Sequence, residues 1–170
     1  MAKLNREALA HFIDGEWHAS FDAVTTQSAA NWVIVGDDIE DMSMELNPDT
    51  ETFKNILGQT KVTDNGYEPS MDADPFYADP DSALYTKLRD IAMNRQKGDA
   101  CKTLLLEVIV ENTEATSHSA WVQEVIVKPQ SYGGDTAGFN IPFNVMENGK
   151  RTAGTVTLSN GVPTFTAASA

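Results

Sequence analysis

The stretch Trp32-Val33-Ile34-Val35-Gly36-Asp37-Asp38-Ile39-Glu40-Asp41-Met42-Ser43-Met44-Glu45-Leu46 decides how the rest of the chain is read. Its first four residues are aromatic or β-branched, side chains that suit a pleated, half-buried backbone. After Gly36 the pattern alternates, with Met42, Met44 and Leu46 on one face and Asp41, Ser43 and Glu45 on the other. Such a strand has one apolar face and one wet, acidic face.

Downstream, Asn47-Pro48-Asp49 breaks the pattern. Thr52 to Leu57 and Gln59 to Thr63 resume extended character as far as the turn signal Asp64-Asn65-Gly66, and the two segments are expected to pair antiparallel. Residues 67–81 hold three prolines and no periodicity, which predicts a long irregular connection. A helix follows at about 80–97, with Asp79 as N-cap, Pro80 as first helical residue, an apolar stripe of Leu84, Leu88, Ile91 and Ala92, and Gly98 as its stop. Strands are expected at Thr103 to Val110, Ala120 to Lys128, Phe139 to Val145 and Arg151 to Leu158. Asn148-Gly149 reads as a hairpin and Asn160-Gly161 as a further turn before Val162 to Thr166. Upstream, Leu4, Ala8, Leu9, Phe12 and Ile13 fall at helical spacing, and 19–30 is small and polar. The expectation is an arm and linker over 1–30, then one domain over 31–170: mainly β, with one flanking α-helix, built as a β-sandwich or barrel.

At 170 residues the chain is one domain, and its 41% apolar content is enough for a core despite a net charge of −13. That charge excludes duplex recognition through clustered Lys and Arg, and a polybasic membrane-surface role. No apolar run reaches the roughly 18 residues of a membrane span, and the N-terminus lacks a signal peptide's apolar core. The single cysteine, Cys101, cannot form an internal disulfide.

Catalytic templates fail at the level of residue types. The sequence has no Gly-x-Ser-x-Gly elbow, phosphate-cradling Gly-Lys-Ser/Thr loop, His-Glu-x-x-His or Cys-x-x-Cys. His11 and His18 fall in the expected arm and His118 in a Ser/Thr-rich turn. Asp72-Ala73-Asp74 begins like a calcium loop, but Tyr77 occupies the required glycine position; a looser site would draw on Asp72, Asp74, Asp79 or Asp81. More telling is where the acids lie: 13 of them fall between Asp37 and Asp81 against two bases, Lys54 and Lys61, so this segment carries −11 of the total. A solubility device is one reading; a surface that repels polyanions, such as the wall of a conduit for nucleic acid, is the sharper one.

The stretch from Trp32 to Pro48, with Asn55-Ile56-Leu57-Gly58-Gln59-Thr60, Gly66-Tyr67-Glu68-Pro69 and the helix Ala83-Leu84-Tyr85-Thr86-Lys87-Leu88 ending at Asn94-Arg95-Gln96, resembles major tail tube proteins of long-tailed, non-contractile bacteriophages. The resemblance covers roughly 30–166. It implies a β-sandwich whose strands join a hexameric ring β-barrel, rings that stack into a filament, and a lumen that conducts DNA during ejection without binding it. It implies no enzymatic activity and no cofactor, and residence in the virion tail after assembly in the host bacterial cytoplasm. The partners are further copies of the chain and other tail proteins (tape measure, distal tail, terminator), with no membrane. On this reading Asp41 and Glu45 face the lumen, while Asn47, Pro48, Asp49, Tyr67, Asp72 and Asp74 lie in segments that reach a neighbouring subunit or ring.

Three rivals stand beside it. A carbohydrate- or surface-binding module would use Trp17, Trp32, Trp121, Tyr67, Phe76 and Tyr77 as stacking platforms. A glycosidase would need a pair of carboxylates, which so acidic a chain supplies by chance. A tail terminator or connector of the same virion shares most of the expected chemistry.

Overall fold

A computed structural model describes residues 3–20 and 30–168. Twelve strands, β1 (Leu9–Asp14), β2 (Trp32–Val35), β3 (Met44–Glu45), β4 (Pro48–Lys54), β5 (Thr60–Tyr67), β6 (Ser70–Ala73), β7 (Lys102–Ile109), β8 (His118–Pro129), β9 (Gly133–Asp135), β10 (Gly138–Asn140), β11 (Phe143–Ser159) and β12 (Val162–Ala167), accompany one α-helix, α1 (Ala83–Met93). Eight of the strands form one curled antiparallel sheet, ordered β2-β1-β7-β8-β11 and then dividing along the length of β11. Residues 143–146 of that strand pair with β6, which pairs with β3, whereas residues 154–159 pair with β12. The hairpins β4–β5 and β9–β10 stand apart as separate two-stranded sheets.

Both faces of the sheet carry a core. On one, Leu84 and Leu88 of α1 pack over Ile13, Leu105, Val125, Val127, Phe143 and Val145. Burying each leucine contributes about 1.5–3 kcal/mol, which is how an eleven-residue helix of moderate amphipathicity is held. Ser82 Oγ accepts a hydrogen bond from Tyr85 N at the helix start, and Phe76 meets Phe143 edge to face at 5.4 Å between centroids. On the opposite face Phe12, Leu104, Leu106, Val108, Ala120, Val122 and Val156 form a second cluster, against which Trp32 of β2 and Phe165 of β12 pack from the two ends of the strand order. Being covered on both sides, β7 is buried continuously from Thr103 to Val108 instead of alternating.

The mainly β class, the helix and its four-residue apolar stripe are as the sequence implies. Several local expectations differ. Residues 9–14, expected as part of an arm or short helix, are a strand between β2 and β7 with His11, Phe12, Ile13 and Asp14 buried, so the ordered body begins before residue 31. Burial on both faces removes the alternation that would have marked it as a strand. The linker expectation for 21–29 lies outside the described residues. The helix N-cap is Ser82; Asp79 instead closes a turn, its Oδ1 accepting from Asp81 N. Asp64-Asn65-Gly66 lies inside β5, and the hairpin turn is Asn55-Ile56-Leu57-Gly58. Asn148-Gly149 does not reverse the chain either. It forms a bulge within the single 17-residue β11, where Gly149 takes φ +104° and Glu124 Oε1 accepts from Lys150 N. The irregular connection at 67–81 contains β6, whose Met71 and Ala73 are fully buried.

Candidate functional site

The β4–β5 hairpin is the most exposed element. Every residue of β4 is exposed, and its strands pair only with each other. A seven-residue strand reaches about 24 Å. Its base is clamped by Asn47, held at φ +46°, whose Nδ2 lies 3.0 Å from Glu68 O, 3.3 Å from Glu45 O and 3.3 Å from Ser70 Oγ. Pro48 faces Tyr67 at the first pair. The tip is equally organised: Asn55 Oδ1 accepts from Leu57 N and Gln59 N, each at 3.0 Å, and Gly58 at φ +76° completes the turn. This ordered turn holds Ile56 and Leu57 in solvent, at 102% and 76% exposure.

Charge on the body is segregated. Asp41, Glu45 and Asp72 line one groove beside β3, of about 210 Å³, together with Ser43 and Ser70. A second groove, of about 300 Å³ at the C-terminal end of α1, is lined by Arg95, Lys97 and Lys128; the Arg95 guanidinium sits 5.4 Å from the Tyr132 ring centroid and donates to Tyr132 Oη. Of the 13 acids between Asp37 and Asp81, only Asp49, Glu51 and Asp64 lie on the hairpin, beside Lys54 and Lys61. The acidity therefore belongs to the body, and the hairpin is nearly neutral.

Sequence reasoning grouped Asp41 with Glu45, and the structure brings Asp72 to them. Asn47, Pro48 and Tyr67 meet at the hairpin base and Asp49 follows on β4. Asp72 accepts from Asn144 Nδ2 at 2.6 Å and Asp74 from Asn140 Nδ2 at 3.3 Å, so both tie β6 and its following turn to residues 140–144. Among the described residues no three His, Cys, Asp or Glu side chains are grouped to hold a metal. Five of the six aromatic platform candidates are at least half-buried; Trp17 donates to Ala100 O and Trp121 lies under the Arg151 guanidinium, which leaves Tyr67 exposed. Leu46, expected to face inward with Met42 and Met44, is 52% exposed because it lies at the hairpin root beyond β3.

A buried polar network escaped the sequence altogether. His11 on β1, Glu107 on β7 and Arg151 on β11 converge across the sheet: His11 Nε2 is 3.2 Å from Glu107 Oε2, and Arg151 Nη1 donates to Glu107 Oε1 at 2.8 Å and to Glu147 Oε1 at 3.3 Å. Burial pushes the Glu107 carboxyl up, but the hydrogen bonds from His11 and Arg151 and their charge outweigh it and hold it below the usual range. Burial and the neighbouring Glu107 charge push Glu147 up, against the pull of Arg151. His11 is 1% exposed and its Nδ1 meets no protein partner. Sequence separations of 96 and 44 residues leave no local pattern that would find this cluster. On the turn after β1, the buried Asp14 carboxylate accepts from Glu16 N, His18 N and Asn31 N and lies 2.6 Å from His18 Nδ1, tying residues 16–18 to Asn31.

No protein-family model matches the sequence, and no curated protein matches it. Solved structures that share its fold include two that end a tube. One is the sheath/tube terminator of the PVC extracellular contractile injection system in its extended state, with TM-score 0.54 and 9% identity over 90% of this chain and 97% of that one. The other is the tube-terminating cap of the anti-feeding prophage, with TM-score 0.51 and 12% identity over 90% of this chain and 91% of that one. Both terminate a tube; neither is a major tube subunit. The resemblance to siphophage major tail tube proteins drawn from the sequence is thus carried only as far as the fold that these two structures share with this chain. No enzyme family is indicated, and no helix among the described residues is long and apolar enough to cross a membrane.

Proposed function

We propose that this chain is a ring-forming component that ends a tail-like tube. The observation that carries the proposal is the fold match over nine-tenths or more of both chains to two proteins that terminate tubes. Two features of the surface support it. The acidic and basic grooves are different patches on one chain, so its surface is asymmetric and suits heterologous contacts between unlike patches of neighbouring copies, which close into a ring when the rotation allows. Among the described residues the outer edges of β2 and β3 carry no strand partner, and neighbouring copies would relieve that exposure. In such a ring Asp41 and Glu45, with Asp72, turn a negative surface toward whatever passes or abuts it, which disfavours adhesion of nucleic acid. The partners are further copies of the chain, the tube and the other proteins at its end, in a virion or a related particle.

A terminator and a major tube subunit differ in whether rings stack. Negative-stain electron microscopy of the purified chain across concentrations separates them. Discrete rings that do not polymerise, and that bind the ends of tubes when a tube protein is supplied, are the expected result. Long hollow filaments of the chain alone would return the reading to a tube subunit, and a monomer at millimolar concentration that ignores tube ends would overturn both.

A further inference from the structure

The tip of the β4–β5 hairpin is an ordered, apolar, solvent-facing knob, and the body of the same chain has an open cavity that offers both apolar and acidic side chains. Between the 3-10 turn at Arg6–Ala8, β1, β2 and residues 36–42 lies a cavity of about 690 Å³, whose apolar lining is Leu9, Ala10, Ile34, Val35, Ile39 and Met42. That volume lies within the range of small-ligand sites and leaves ample room for two aliphatic side chains. Ile34, on the outermost strand β2 of the described sheet, is exposed although it lines this cavity.

Charge identifies the occupant. The rim of the cavity carries Glu7, Asp37 and Glu40, while Arg6 is already tied to Leu9 O and Met42 O. The only two bases between Asp37 and Asp81 are Lys54 and Lys61, and both flank the apolar tip: Lys54 pairs with Thr60, and Lys61 with Phe53. An apolar pair flanked by two lysines matches a cavity lined by six apolar side chains and three carboxylates. We infer that the hairpin of one copy inserts Ile56 and Leu57 into the β1–β2 cavity of the next copy, with Lys54 and Lys61 meeting Glu7, Asp37 and Glu40. The contact is heterologous, so each copy gives one knob and receives one, as a ring requires. The turn is preordered by Asn55, so little freedom is lost on docking. Lys54 and Lys61, the two bases of an otherwise acidic stretch of sequence, are then contact residues. This contact rests on the ring reading above.

The test is a crosslink between two full-length variants, Leu57→Cys and Ile34→Cys, mixed and oxidised; Cys101 is buried and stays in place. The expected product is a disulfide-linked pair containing one of each variant. Adding Lys54→Glu and Lys61→Glu to the Leu57→Cys chain lowers its yield by about tenfold or more, and Asp37→Lys with Glu40→Lys in the partner restores it, a rescue that a misfolded chain cannot give. Rings visible by electron microscopy without a mixed crosslink, or a crosslink insensitive to the lysine changes, overturn this contact and leave the ring reading standing. No rings and no crosslink at millimolar concentration overturn both.

Discussion

Replacing Glu107 by Gln changes almost no volume and removes one charge, which isolates the worth of the His11–Glu107–Arg151 network. The carboxylate accepts from His11 Nε2 and from Arg151 Nη1. An amide offers an oxygen to only one of them. If the imidazole switches tautomer to accept from the amide, its hydrogen moves to Nδ1, which is buried without a protein partner. Either way one charge-assisted bond is lost, worth about 1.5–3 kcal/mol, and the 39% exposure of Arg151 argues for the lower half of that range. A loss of about 2 kcal/mol lowers the melting temperature by about 4–8 °C for a domain of this size. The pH dependence has a definite sign. Because Glu107 is depressed in the folded state, its contribution is complete above the unfolded value of 4.5 and is lost as pH falls through the folded value. The raised Glu147 has the opposite sign, contributing at low pH and opposing folding as pH rises, but it is common to both proteins and largely cancels in the difference. Thermal unfolding followed by circular dichroism should therefore show a gap between wild type and Glu107→Gln at neutral pH that narrows at about pH 3. An equal gap at both pH values, or none at neutral pH, refutes the assignment of the network as a charged stabilising unit.

Gly154→Ala places a Cβ 2.2 Å from Thr166 O in β12, backbone that cannot yield cheaply, so a loss of about 1–3 kcal/mol in denaturant unfolding is expected, with hydrogen-exchange protection falling first along β12. Leu88→Ala empties a fully buried site under α1 and should cost about 2–5 kcal/mol by the same assay. Asn47→Ala removes the clamp at the hairpin base; we expect faster amide exchange over residues 48–67 with the melting temperature of the body nearly unchanged, and a large drop in that temperature would mean the hairpin is part of the body's cooperative unit.

What was legible in the sequence follows from how local its causes are. β2, β8, α1 and the Asn160-Gly161 turn each carry their signal within a few residues: branched side chains, a 3.6-residue stripe, two positions of positive φ. The errors came where tertiary context overrode such signals. The segment 9–14 is covered on both faces and so shows helical spacing by accident. Asn148-Gly149 has hairpin chemistry, but Gln123 Nε2 bonding to Gly149 O and Glu124 bonding to Lys150 N hold it flat against β8 as a bulge. Of the candidate site, Asp41 and Glu45 could be paired by alternation, whereas Asp72 joins them only through the β3–β6 ladder. The apolar tip was hidden because Ile56-Leu57 reads like strand until Asn55 and Gly58 are seen to close a turn around it.

β11 runs unbroken for 17 residues, bonded to β8 along most of its length and on its other side to β6 at one end and β12 at the other. Mechanically this makes it a tie rod. A pull along its axis must shear many ladder bonds at once, while a pull across the sheet peels them one after another. The molecule is thus stiff in one direction and compliant in the perpendicular one, and the bulge at residues 147–151 is where it would bend before it broke.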